Sequence, residues 1–386
     1  MCFMQVLNMK ILQFLPYFPP HIWGVEAFAK ERSSAFSEQK KWKLITVVFS
    51  PGQPENLTSY EQDGYTVMIL PAFELISNFP VPKIRSPIFW SQIQKIKAEK
   101  ADIIQTHTRF FLSTFLWWLL AKLRKIKRIH IEHGSGFVKG LSWRKTAFAR
   151  CYDQIFWRLI FRLADSLVAI SHGNLPFIQQ FTRKKISVIY RGFDFTPVLR
   201  EKKEKTDQIL IGFVGRLVKL KGVDLLIEAF AQLEQEYRNL RLQIIWDGEE
   251  RFALEKQAGA LGLSDKISFF WYQSPEKVYS DFLPHIDVFV NPSLQEGLPT
   301  TVIEALFAQC ITVATSVGGT KEIADGEDFI VVEPWNIEAL KAGLNQALAL
   351  VWKVYWASYE QVRERFDWKR GVEKYLENYE KLVWKK

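Results

Sequence analysis

The chain has 386 residues, 48% of them hydrophobic and 24% charged, which suits two or three globular domains and excludes a disordered or disulfide-stapled scaffold. Its three cysteines, Cys2, Cys151 and Cys310, are odd in number and widely spaced, so they form neither a disulfide framework nor a metal cluster. The net charge of +9 is uneven: residues 1–200 hold 28 Lys and Arg against 13 Asp and Glu, and the remainder is mildly acidic. A basic half suggests an anionic partner such as acidic lipid, a phosphorylated acceptor or nucleic acid, although solvated lysines give the same count.

The opening MCFMQVLNMKILQFLPYF has no charged lead and no small-residue cleavage site, so it reads poorly as a signal peptide. Met9 starts the first strand more naturally than Met1. Short apolar runs then alternate with helix-length segments. KILQFL (10–15), LITVVF (44–49), DIIQTH (102–107), IHIEH (129–133), SLVAIS (166–171) and KISVIY (185–190) read as buried strands. FFLSTFLWWLLA (110–121) is shorter than the roughly 20 residues of a membrane span and is read as a buried helix. A charged stretch, FDFTPVLREKKEKTDQ (193–208), reads as a linker, after which the pattern restarts with ILIGFVG (209–215), LQIIW (242–246), KISFF (266–270), DVFVNP (287–292) and ITVAT (311–315). Beyond Pro334 only helical patterns remain. Two successive βαβ arrays predict an α/β protein with two doubly wound domains whose ligands bind at the strand carboxyl ends, in a shared cleft.

Two segments carry chemistry. In FVGRLVKLKGVDLLIEAF (213–230) a strand turns through Gly215 into a helix from about Lys221, with Arg216 and Lys221 flanking the turn. Two cations beside a helix N-terminus suit a diphosphate, because free N–H groups and positive charge meet the anion together. In VNPSLQEGLPTTVIEALFAQC (290–310) a strand ends at Pro292, Gly297 and Pro299 make a turn, and Thr300 and Thr301 open a helix. Glu296 precedes that helix and Glu304 lies inside it. Carboxylates suit sugar hydroxyls because each accepts two directed hydrogen bonds.

These segments, with PYFPPHIWGVEAFAKE (16–31), IEHGSGF (131–137), VIYRGFD (188–194), DGEERFALEKQAGALGL (247–263) and VGGTKE (317–322), resemble the retaining family 4 glycosyltransferases of the GT-B fold, group 1. The resemblance covers nearly the whole chain. It implies two Rossmann-like domains, 1–195 on the acceptor side and 196–366 on the nucleotide-sugar side, with a C-terminal helix (367–386) crossing back to the first. The implied activity is hexosyl transfer from a UDP- or GDP-sugar to a glycan or lipid-linked acceptor of the cell envelope, with front-face attack and retained anomeric configuration. No metal or other cofactor is expected, because Arg216 and Lys221 supply the charge. By resemblance these two grip the diphosphate beside Gly215, Asp247 and Gly248, and Glu304 takes the ribose. Glu296 and the amides of Gly297 and Leu298 meet the sugar, next to Pro299, Thr300 and Thr301. Gly24 brings backbone amides to the donor phosphate. His133 faces the sugar from the first domain, although a histidine after a strand is also an ordinary structural hydrogen-bonder. The expected location is cytoplasmic, at the inner face of a membrane through KLRKIKR (122–128) and WRK (143–145). No nucleic-acid module is recognisable.

Tryptophan stands where the family pattern has glycine at Trp23, Trp42, Trp246, Trp271, Trp335 and Trp356, and Cys310 also occupies a glycine position. Three readings stay open: a codon decoded as glycine but translated as tryptophan, real tryptophans in an altered or inactive sugar-nucleotide-binding or partner-binding protein, or drift at tolerant sites. If glycine belongs there, these six side chains should lie at turns or the cleft edge, several with positive φ.

Overall fold

The computed structural model describes residues 9–15, 28–29, 42–51, 58–62, 64–76, 79–108, 125–137, 154–193, 207–351, 353 and 357–384. The first sheet holds β1 (Met9–Leu15), β2 (Trp42–Pro51), β3 (Ser59–Gln62), β4 (Tyr65–Ile76), β5 (Phe79–Pro82), β6 (Ile103–His107), β7 (Lys127–Glu132), β8 (Ser166–Ala169) and β9 (Ile186–Val188). Its order is β3-β4-β2-β1-β6-β7-β8-β9, with β5 also on β4. From β4 to β9 the ladder is parallel, and β3 and β5 join β4 antiparallel. The second sheet, β10 (Ile209–Val214), β11 (Leu240–Ile245), β12 (Ile267–Phe270), β13 (Val288–Asn291), β14 (Ile311–Thr315) and β15 (Phe329–Val332), runs β12-β11-β10-β13-β14-β15, all parallel. Each order reverses beside its first strand, which opens a crevice at the carboxyl ends.

The parallel strands form where the sequence has apolar runs without alternation, as buried strands covered on both faces require. In β1 and β14 every residue but Lys10 is buried. Four strands went unread: β3 and β5 are short and lack that signature, while β4 and β15 carry the apolar runs VMIL and FIVV. Strand β4 contains Pro71, normally a mark against a central strand. It is tolerated because β3 pairs only as far as Met68 and β5 begins at Ala72, so Pro71 falls between the two antiparallel ladders.

Helix α1 (Pro87–Ala98) and a helix over 154–163, α2, cover the first sheet. Trp157, Ile160 and Phe161 of α2 are wholly buried. Around the second sheet lie α3 (Val223–Glu236), α4 (Arg251–Ala260), α5 (Thr300–Phe307) and α6 (Ile337–Leu348). After α7 (Ala357–Arg365), α8 (Trp368–Trp384) lies against the first sheet. Its Tyr379 ring sits 5.6 Å from Trp42, and Ser166 Oγ donates to Asn378 Oδ1 at 3.0 Å. Among the described residues no helix is long and apolar enough to cross a membrane.

The tryptophans divide. Trp246 and Trp335 have positive φ, 132° and 62°, where a Cβ is strained. Trp42, expected at a turn or cleft edge, instead begins β2, is 7% exposed and packs in the core. Trp271 is exposed and stacks on the Arg251 guanidinium at 4.0 Å, without positive φ. Trp23, Trp356, Gly24, WRK (143–145), most of the 193–208 stretch and the 110–121 run lie outside the described residues. Cys310 is buried, with its thiol against the Leu283 carbonyl.

Candidate active site

A cleft of about 440 Å³ opens between the carboxyl ends of the two sheets. Its second-sheet wall starts where β10 ends: Gly215, Arg216 and Lys221 line it. The chain there enters the helix close to Lys221, in two steps. It makes one 3₁₀ turn over Lys219–Lys221, and α3 begins at Val223. The break comes from Gly222 at φ 64°, a left-handed conformation suited to glycine. A Cβ there would also run into the Pro292 carbonyl, which locks the Lys221 turn against the end of β13.

The loop after β13 supplies Glu296, Gly297 and Leu298, followed by Pro299 at the N-cap and by Thr300, Thr301 and Glu304 of α5. Lys221 Nζ meets Glu296 Oε1 at 2.5 Å, and Ser293 Oγ donates to the same oxygen at 2.7 Å. The N-terminus of α5 thus lies beside two cations in the cleft, and its positive dipole end favours an anion there. One pair of sequence-predicted residues is placed elsewhere. Asp247 and Gly248 do not line the cleft; they brace the residue after Arg216. Leu217 N donates to Asp247 O at 3.0 Å, and a Cβ on Gly248 would strike the Leu217 backbone. Trp246, just before them, lines the cleft instead.

The first-sheet wall contributes His133, immediately after β7, with Phe28, Ile170 and Arg191. Arg191 is 7% exposed and lies over the Phe193 ring at 4.6 Å. Sequence reasoning missed Phe28, Arg191 and Tyr279 as lining residues; a cation within VIYRGFD was the available signal for one of them. Part of the KLRKIKR stretch is committed internally, since Arg128 makes a two-pronged contact with Asp165 at 2.9 and 3.1 Å. Among the described residues no cluster of metal-ligating side chains occurs.

The walls are held together by direct bonds. Ser135 Oγ donates to the Glu296 carbonyl, and Ser171 Oγ to the Gly297 carbonyl at 3.0 Å. The Glu322 carboxylate accepts from His172 N at 2.8 Å, Gly173 N at 2.5 Å and Tyr190 Oη at 2.8 Å. Burial first, and then the bond to Glu322, push the Tyr190 hydroxyl well above its ordinary pKa. At Gly297 the walls touch, because an added Cβ would meet the His133 carbonyl oxygen. Gly297→Ala should therefore hold the walls apart while each half still folds. Displacement of about 1 Å costs on the order of 100-fold in rate. Activity lost with unchanged melting is the expected result; unchanged activity would show that the halves need not approach this closely.

Residues 24–196 match the family described as Glycosyltransferase Family 4, and residues 195–358 match Glycosyl transferases group 1. The chain is 32% identical to an uncharacterized glycosyltransferase of Methanocaldococcus jannaschii, over 97% of this chain and 99% of the relative. It is 28% identical to the D-inositol 3-phosphate glycosyltransferase of Corynebacterium urealyticum, over 73% of this chain and 72% of the relative. Among solved structures it resembles a sucrose-phosphate synthase from Thermosynechococcus elongatus, with TM-score 0.80 and 18% identity, covering 97% of this chain and 99% of the other. It also resembles Anabaena HepE in complex with UDP-glucose, with TM-score 0.73 and 18% identity, covering 97% and 100%. The two doubly wound sheets, the cleft between them and the matches along both halves place this chain among the GT-B glycosyltransferases of family 4, group 1, to which it belongs.

Proposed function

We propose that this enzyme transfers a hexose from a UDP- or GDP-sugar to a glycan or lipid-linked acceptor, with retention of anomeric configuration. The observation that carries the reading is the Lys221–Glu296 pair set beside Arg216 and the N-terminus of α5. In it, Arg216 and Lys221 neutralise the departing diphosphate, which is preorganised electrostatic stabilisation. Glu296 and the backbone at Gly297 and Leu298 hold the transferred sugar, Glu304 the ribose hydroxyls, and His133 reaches the sugar from the opposite wall. Among the described residues lining the cleft, carboxylates come only from the second-sheet wall. That arrangement favours front-face attack over a double displacement. The cations carry the charge, so the reading needs no metal. Gly24 is assigned to the donor phosphate by resemblance.

Anabaena HepE, a structural neighbour, forms a complex with UDP-glucose, which supports a uridine donor. Relatives carry inositol 3-phosphate and phosphatidylinositol in their names. Both are phosphate esters, and they fit the basic first half and a cytoplasmic enzyme working at an anionic membrane face. Calorimetry with UDP and GDP, followed by turnover of UDP-glucose and GDP-mannose, tests the donor. One nucleotide should bind and its sugar be consumed; binding of neither would overturn the reading. Flotation with acidic vesicles, falling as salt rises, tests the surface.

A second reading, a sugar-nucleotide-binding protein without turnover, is favoured by Trp246, whose strained backbone carries a large ring on the cleft wall. Nucleotide binding without sugar consumption would select it.

A further inference from the structure

A chain of buried polar side chains runs from the C-terminal helix to the cleft. Tyr379 Oη of α8 donates to Gln105 Oε1 on β6. Gln105 Nε2 lies 2.7 Å from His107 Nε2 and 3.0 Å from Gln13 Oε1. His107 Nδ1 lies 3.0 Å from His133 Nε2. Tyr379, Gln105, Gln13 and His107 are each at most 1% exposed, so their polar atoms depend on one another rather than on water. Phe28 presses edge-on against both histidine rings, at 5.8 and 5.3 Å.

The order of donors follows from Tyr379. Its hydroxyl occupies the Gln105 carbonyl oxygen, which leaves the Gln105 amide to face its two neighbours. One amide hydrogen goes to Gln13 Oε1 and the other to His107 Nε2. A ring that accepts at Nε2 carries its proton on Nδ1. A bond from His107 Nε2 to Gln13 Oε1, at 3.1 Å, would instead set two donors against each other at the shorter 2.7 Å contact. His107 therefore presents Nδ1–H to His133 Nε2, and neutral His133 keeps its own proton on Nδ1.

We propose that His107 is the positioning residue of this glycosyltransferase: its Nδ1–H fixes the tautomer and the tilt of His133, so that His133 meets the donor sugar as a hydrogen-bond donor from Nδ1. This rests on the reading of His133 as a sugar contact given above. The lock begins at Tyr379, so the C-terminal helix sets the ring that faces the cleft.

The experiment compares wild type with His107→Leu, His107→Asn and Tyr379→Phe. Nitrogen-15 histidine spectra should show His133 with Nε2 unprotonated in wild type and in His107→Asn, whose amide offers a donor near the Nδ1 position. In His107→Leu the two tautomers should mix. Hydrolysis of UDP-glucose or GDP-mannose, whichever wild type consumes, should fall about tenfold in kcat for His107→Leu, the loss of one hydrogen bond. KM should move less than twofold, His107→Asn should recover most of the rate, and Tyr379→Phe should lie between. UDP affinity should not change, since Arg216 and Lys221 are untouched. An unaltered His133 spectrum in folded His107→Leu, or a wild-type spectrum with Nε2 protonated, overturns the proposal. Failure of wild type to consume either sugar refutes the donor reading instead, and the spectra then decide the His107 bond alone.

Discussion

Lys221→Ala is expected to lower kcat by about 10²–10³-fold, the range found when one preorganised donor to a developing negative charge is removed. Two losses combine. The leaving diphosphate loses a cation, and Glu296 Oε1 loses the ammonium 2.5 Å away, leaving a carboxylate in the wall where an anion must bind. Arg216→Ala should act in the same direction, since that side chain also lines the cleft. Lys219→Ala is the control two residues away. Its ammonium pairs with Asp224, its side chain is 57% exposed, and exposed pairs of that kind contribute little. Arginine at 221 should rescue only part of the rate, because a planar guanidinium cannot reproduce a point contact to one oxygen. UDP titration and kcat on the preferred sugar nucleotide check the set. Unchanged affinity and rate in both Lys221→Ala and Arg216→Ala would remove the diphosphate assignment.

The charged part of that wall was readable in advance because it comes from two contiguous segments, whereas Tyr279 joins it from a separate one. Arg216 to Lys221 span one turn after β10, and Glu296 to Glu304 span one loop and the start of α5. Residue type, glycine spacing and strand ends fall within one window, so pattern and chemistry agree. The opposite wall is assembled from Phe28, His133, Ile170 and Arg191, which neighbour one another only once β1, β7, β8 and β9 are ordered in the sheet. His107 was hidden differently. It ends a short buried strand, IIQTH, and a histidine there has no local sign of the partner 26 residues on. Asp247 and Gly248 misled through adjacency: the same turn sends Trp246 to the cleft and the next two residues to Leu217. Strand β4 was obscured by Pro71, whose tolerance depends on where β3 and β5 stop.

The tryptophans should answer glycine substitution with opposite signs. Trp42→Gly is expected to cost about 3–5 kcal/mol, since it empties a packed site and frees the unfolded chain as well. Trp42 is 7% exposed, its ring meets Tyr379 at 5.6 Å, and its backbone is ordinary strand. Trp335→Gly should instead stabilise. Its ring is 59% exposed and its φ is 62°, so little packing is lost while a left-handed strain of about 1–2 kcal/mol is relieved. Greater freedom of the unfolded chain offsets roughly half of that gain, which leaves a small rise in melting temperature. Trp271→Gly, without positive φ, gives up the Arg251 contact, about 0.5–1 kcal/mol, and frees the unfolded chain by a similar amount. Trp246→Gly is the functional case. Relief at φ 132° opposes the loss of its edge-on contact with Tyr272 at 4.8 Å, so stability should barely change. The ring, however, leaves the cleft wall, and UDP or GDP affinity should rise. Thermal melts and nucleotide titration of the four single variants read this pattern. A gain in stability at Trp42 would mean that glycine belongs even at this packed strand position, which favours the misread codon. Losses in both stability and affinity at Trp246 and Trp335 would mean that the tryptophans are native and the cleft is shaped around them.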